Sequence, residues 1–167
     1  TILGPMPTGN NGPKLPAGLS AANLRIGVIR ASWNEGVVNR LADGVAKALD
    51  RLQVKKVTWV SVPGCLEIPL AAQLLTQSGN FDSLVVIGAV IRGETTHYEL
   101  VSEGAAEGVL RVQLDSGVPI GFGLVTVENH QQAMDRSEGN GGHNVGEEAT
   151  EVAVQMALLA KDWHPTI

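Results

Sequence analysis

Residues 84–100, LVVIGAVIRGETTHYEL, run apolar and then break into an arginine, a glycine, a carboxylate, two hydroxyls and a histidine. If that break is a strand end, Gly93 lets backbone approach a ligand closely, and the N–H groups of Glu94, Thr95 and Thr96 at a helix start suit a phosphate. The same residues also spell a capped helix start, with Thr96 as cap and Glu99 as the reciprocal carboxylate of a capping box. Both readings can hold together, and spacing alone favours the cap. His97 falls in the first helical turn, where the positive end of the helix dipole favours the neutral imidazole, a form able to accept a proton.

Other chemistry-bearing residues follow apolar runs in the same way. Trp33 comes after RIGVIRAS and before Asn34, the expected N-cap of the next helix; its ring either stacks on a planar heterocycle or staples onto that helix. Cys65, Leu66 and Glu67 follow the Pro63–Gly64 turn. Glu67 either complements a helix N-terminus or holds a polyol or an amine. None of the five lysines falls at a predicted strand end, which argues against an enzyme-bound Schiff base. The four histidines and the single cysteine show no metal-ligand spacing, and no dinucleotide fingerprint, P-loop or nucleophile elbow is present. Catalysis here rests on positioning and proton transfer, with no metal and no cofactor expected.

These residues need elements to hold them. The sequence alternates short apolar runs with helical spacing: a strand at 24–32, then Val38, Leu41, Val45 and Leu49 at helical intervals; a strand at 57–62, then a helix over 69–79 with Pro69 in its first turn. A strand at 83–91 precedes a helix over 98–115, whose EGAAEG stretch implies close packing against a neighbour. A strand at 119–127, a short helix over HQQAMDR, a glycine-rich loop and a final helix over 147–162 complete the pattern. Continuous apolar strands alternating with helices predict an α/β three-layer sandwich, flavodoxin-like, with a mainly four-stranded parallel sheet covered on both faces. Ligands of such sheets sit outside the carboxyl ends of the strands, where all these residues fall.

Residues 1–22, rich in proline and glycine, read as an extended arm, and 23–167 as a single α/β domain. A charged fraction of only 17% beside 44% hydrophobic residues points to burial in an oligomer, and the net charge of -5 carries no basic stripe for nucleic acid. No apolar run reaches the roughly 18 residues of a membrane helix. One cysteine suits a reducing, cytoplasmic setting; because the chain starts at Thr1, an upstream organelle-targeting segment stays open.

Taken in order, ASWNE, VPGCLEIPLA, GAVIRGETTHYELVSE, LDSGVPIGFGLVT, ENHQQAMDRS and GHNVGEEA make the chain, from about residue 24 to 159, resemble the lumazine synthases of riboflavin biosynthesis. Trp33 and the NGGHN stretch look most like fungal members. The resemblance implies condensation of 5-amino-6-(D-ribitylamino)uracil with 3,4-dihydroxy-2-butanone 4-phosphate to 6,7-dimethyl-8-ribityllumazine, phosphate and water. It implies that Trp33 stacks on the pyrimidine and that Cys65, Leu66 and Glu67 hold the ribityl chain. Ala89, Val90 and Ile91 would meet the pyrimidine edge through backbone groups. Glu94, Thr95 and Thr96 would cradle the phosphate, with His97 as the proton-transfer residue. Phe122 and Arg136 would come from a neighbouring subunit, the ring closing the aromatic sandwich and the guanidinium binding phosphate. It implies homopentamers with sites at subunit interfaces, in some members assembled into an icosahedral shell, with small-molecule substrates and neither nucleic acid nor membrane as partner.

Four positions depart from the family pattern: Glu148 and Ala149 stand where fungal members commonly have an aspartate and a tryptophan, and two others bear on the site. Val145 stands where a lysine or histidine is usual, and Leu66 stands where an aromatic often precedes the glutamate. They motivate the alternatives of a catalytically impaired flavin- or pteridine-binding homologue and of a purely shell-forming one. His143 either restores some of the missing basic character or is a loop residue with no role. Arg92, despite its place beside the turn, is expected to be structural or interfacial, because the resemblance gives the phosphate to Arg136.

Overall fold

A computed structural model describes residues 21–163 of the chain. Residues 1–20 of the expected arm lie outside them. Ala21 is already part of the folded body: it is buried, and its N–H donates to the Leu52 carbonyl at 3.1 Å.

The elements are β1 (Arg25–Ala31), α1 (Glu35–Arg51), β2 (Lys56–Val62), α2 (Ile68–Gln77), β3 (Ser83–Ile91), α3 (His97–Ser116), β4 (Ile120–Val127), α4 (His130–Asp135) and α5 (Val145–Trp163). A 3-10 turn at Cys65–Glu67, which periodicity alone does not reveal, leads into α2. Strand bounds agree with expectation to within a residue or so; α5 begins earlier than the apolar spacing suggests because Val145 and Gly146 already form part of its first turn.

All the strand pairs are parallel, in the order β2-β1-β3-β4. This is the doubly wound order of flavodoxin-like sheets. Central strand β3 is buried along nearly its whole length, and its unbroken apolar sequence is what a strand covered on both faces requires. One core lies between the sheet and α1, α4 and α5, built on Val38, Leu41, Val45, Ile87, Val125 and Val154. The other lies under α2 and α3, built on Ile29, Ile68, Leu84, Val86, Val101 and Ala105.

Coverage is incomplete at the edge. β2 is mostly exposed in the single chain, Trp59 included, so the expectation of a sheet covered on both faces holds for β1, β3 and β4 and fails for β2. The glycines of α3 behave as expected: a Cβ on Gly108 would come within 2.6 Å of the Pro69 ring, and one on Gly104 within 3.0 Å of Leu66. Their absence of side chains seats α3 directly on the start of α2.

Candidate active site

Register brings the strand ends to one edge. Ala31 pairs with Val62, and Ile91 pairs with Val127, so the segments following all four strands share a rim. The β1–α1 turn is tied to β2: Ser32 N–H donates to the Val62 and Pro63 carbonyls at 2.9 and 3.1 Å, and Trp33 N–H to Pro63 at 3.3 Å. Trp33 itself stays 71% exposed, so it is neither core nor a staple buried on α1.

Asn34 corrects the sequence reading. It occupies the expected N-cap position of α1, its carbonyl accepting from Val38 N–H at 3.0 Å, but its side chain makes no capping bond and its backbone sits in the left-handed region (φ 58°, ψ 47°). Its Nδ2 reaches across to the Ala89 carbonyl of β3 at 2.9 Å. The Trp33 turn is thereby fastened to the backbone expected to meet the pyrimidine edge. Asparagine is among the few residues that adopt this conformation readily, which is the one sequence hint of this role.

Beneath the rim, Cys65 is buried and packs on Gly88, where a Cβ would stand 2.6 Å from Sγ. Burial first, and the nearby Glu67 carboxylate second, push the Cys65 thiol up to about 11, while a bond with the Ala89 backbone opposes them. The thiol is therefore a neutral packing group. Leu66 is half exposed, and Glu67 spends one carboxylate oxygen, Oε2, accepting from Gly64 N–H at 3.0 Å. That bond shapes the turn and leaves Glu67 exposed at the rim.

The β3–α3 turn also departs from expectation. Thr96 makes no side-chain cap, and Glu99 does not return to it. Glu99 pairs instead with Arg92, whose guanidinium also bonds Glu128 at 2.7 Å and lies 4.5 Å from the Tyr98 ring centroid. The Glu99 carboxyl is held below its usual range by its own backbone N–H first and by Arg92 next. With two carboxylates around it, Arg92 braces the ends of β3, α3 and β4. The capping box fails because Arg92 offers Glu99 a stronger, charged partner. Glu94, Thr95, Thr96 and His97 are all exposed, with His97 opening α3 and its N–H donating to Thr95 Oγ1 at 3.3 Å.

Phe122 and Arg136 lie elsewhere. Phe122 is the third residue of β4, opposite Val86, and is 40% exposed well short of the carboxyl edge. Arg136 ends α4, with Nη1 folded onto the Gln132 carbonyl at 3.0 Å. His143 Nδ1 lies 3.0 Å from Glu148 Oε1. A groove between α1 and the loop before α5, lined by Arg40, Lys47, Glu138 and Asn144 among others, holds none of the residues expected at the site. The strand-end rim of one chain thus carries the exposed Trp33 ring, the exposed Glu94–Thr96 turn and the exposed His97, with Phe122 and Arg136 away from it. Among the described residues no cluster of three or more His, Cys, Asp or Glu could hold a metal, and no helix is long and apolar enough to cross a membrane.

Fold and rim together define an α/β protein of flavodoxin-like order, a class in which ligands bind outside the carboxyl ends of the strands. Residues 23–161 match the family model of 6,7-dimethyl-8-ribityllumazine synthase. A protein of that name from Paraburkholderia phytofirmans is 47% identical over 144 residues, covering 85% of this chain and 83% of the relative. Another, from Burkholderia multivorans, is 48% identical over 143 residues, covering 84% and 80%. The chain belongs to the 6,7-dimethyl-8-ribityllumazine synthase family. These relatives are bacterial, so the likeness to fungal members read from Trp33 and NGGHN is not supported. Two short motifs are outweighed by identity spread over the domain.

Proposed function

We propose that the chain acts in riboflavin biosynthesis as a transferase, condensing 5-amino-6-(D-ribitylamino)uracil with 3,4-dihydroxy-2-butanone 4-phosphate to 6,7-dimethyl-8-ribityllumazine, phosphate and water. The observation that carries this is the family match across residues 23–161. In this reading the pyrimidine stacks on Trp33, with Ala89, Val90 and Ile91 meeting its edge through backbone groups. The ribityl chain runs over Cys65, Leu66 and Glu67. The phosphate sits on the turn of Glu94, Thr95 and Thr96, where the start of a 20-residue helix favours an anion.

His97 transfers protons while the substrate amine adds to the ketone and water leaves. The imine forms between the two substrates, so no lysine of the protein enters a covalent step. Phe122 and Arg136 come from a neighbouring subunit and supply a second wall, the ring against the pyrimidine and the guanidinium on the phosphate. The assembly is a homopentamer with sites at subunit interfaces. Leu70 and Leu74 on α2 and Leu100, Leu110 and Leu114 on α3, all more than half exposed in one chain, support an extensive apolar contact. The unit is one cytoplasmic α/β domain over 23–167 preceded by an arm, and its mass in solution separates a pentamer from an icosahedral shell.

Incubation with both substrates, followed by lumazine absorbance, tests the activity; product no faster than the spontaneous background overturns it. His97→Ala lowers kcat roughly 10- to 1,000-fold, the range for one proton-transfer group in a reaction that is feasible uncatalysed. An unchanged kcat removes His97 from that role.

A further inference from the structure

Arg136 ends α4, and the chain then makes a glycine-rich excursion, SEGNGGH, before Asn144 and α5. Residues 138–141 of this loop are exposed, so apolar burial does not fix it. Asn144 does. Its side chain is buried, with Nδ2 donating to the Arg40 carbonyl of α1 at 3.0 Å and to the Glu138 carbonyl at 3.1 Å, while Oδ1 accepts from Glu147 N–H at 3.1 Å. Both amide protons and the amide oxygen are thus engaged on three separate segments: α1, the loop and the start of α5.

The surroundings are cut to fit this amide. A Cβ at Gly44 would stand 2.1 Å from Asn144 Oδ1, and one at Gly146 would stand 2.3 Å from the Leu41 carbonyl. Only glycine at both positions lets α1 and the start of α5 close on the side chain. The two ends of the loop are also tied to each other: Val145 N–H donates to the Arg136 carbonyl at 2.9 Å, and Ser137 bridges Asn144 in antiparallel fashion. Arg40 Nε donates to Ser137 Oγ at 3.3 Å, a second strut from α1. Three of these bonds, to the Arg136 carbonyl, Ser137 Oγ and the Glu138 carbonyl, land on Arg136 or within two residues of it, and the others anchor Asn144 to α1 and α5.

We propose that Asn144 is a positioning residue for Arg136: by pinning the 137–143 loop to α1 it sets the direction in which the guanidinium leaves α4 and so its grip on the substrate phosphate. The inference rests on the role given to Arg136 above. An arginine side chain has many rotamers, and loosening its backbone adds orientations that must be lost again on binding. Val145 contributes no charge at the start of α5, so a displaced Arg136 is not replaced from there. Asn144 touches no substrate and acts wholly through Arg136.

Steady-state kinetics of the assembled protein, with each substrate varied in turn, test this in Asn144→Ala, Asn144→Asp, Arg136→Ala and the double variant Arg136→Ala/Asn144→Ala. Asn144→Ala raises KM for the phosphate-bearing substrate about tenfold, the effect of one or two lost buried hydrogen bonds, and leaves KM for the pyrimidine within about twofold. Asn144→Asp, which keeps the shape and the acceptor but loses both donors, gives the same split and serves if the alanine variant does not assemble. The double variant is no worse than Arg136→Ala alone, because a residue acting through another adds nothing once that other is gone. Equal rises in both KM values, or losses that add, overturn the proposal. If Arg136→Ala itself leaves the phosphate-substrate KM unchanged, the role of Arg136 fails first and the inference falls with it; if Arg136→Ala raises that KM and neither Asn144 variant does, the inference alone falls.

Discussion

Gly88→Ala tests whether the floor of the rim is set by packing between β3 and the Cys65 turn. A Cβ at position 88 would lie 2.6 Å from Cys65 Sγ and 3.2 Å from Ala31 Cβ, where ordinary contact begins at 3.4 Å. Sγ must yield by about 1 Å, and it is buried against β3 with Ile68 also beside Gly88. Overpacking of one methyl in a well-packed core costs about 1–3 kcal/mol. For a chain of this size that is a fall of roughly 2–10 °C in Tm. Thermal unfolding is compared at one fixed protein concentration, because assembly makes Tm concentration-dependent. Cys65→Ala in the same chain removes the sulfur that the new methyl meets, so the double variant recovers most of the loss. The Cys65–Glu67 turn moves with the sulfur, and Gly88→Ala therefore also raises KM for the pyrimidine substrate. A single variant that melts within about 1 °C of the wild type, or a double variant no more stable than the single one, refutes the packing argument.

Asn34→Ala loses both the bond to Ala89 and the residue type suited to positive φ, about 2–3 kcal/mol together, whereas Asn34→Gly keeps the backbone and loses about 1 kcal/mol. Urea unfolding of the two variants compares them, and equal losses rule out backbone strain at position 34. At Asp82, burial favours the neutral acid, but the Arg25 side chain and N–H, the latter at 2.7 Å, outweigh it and hold the carboxyl below its usual range. A depressed folded value means the stabilisation is complete above the ordinary carboxylate range and is lost as pH falls through the lowered one. Asp82→Asn therefore melts below the wild type at neutral pH, and the gap closes as pH drops below about 4; a gap independent of pH contradicts the assignment.

Much of the fold was legible in the sequence. β3 reads as a central strand from SLVVIGAVI alone, because only burial on both faces tolerates such a run, and the strand–helix alternation then leaves few arrangements besides a doubly wound parallel sheet. The rim was legible too, since a parallel sheet must carry whatever follows each strand to the same edge. What failed were the local readings of caps. Asn34 and Thr96–Glu99 match capping patterns, yet each polar group found a better partner: the Ala89 carbonyl of the neighbouring strand for Asn34, and Arg92 just after β3 for Glu99. Capping rules describe a helix in isolation, and tertiary contact competes with them. The fungal likeness failed in a similar way, by weighting two short motifs over the whole domain.

By itself, the sequence determined which residues lie at the strand ends and which chemistry they exclude, because order along the chain and residue type decide both. Only the tertiary structure decided how they are held. Arg92 became a brace because the sheet sets Glu128 beside it, Cys65 became a neutral packing group because Gly88 lies above it, and Asn144 became a pin because Gly44 lets α1 close over it. Each of these depends on a contact between residues distant in sequence, and no local spacing encodes such a contact.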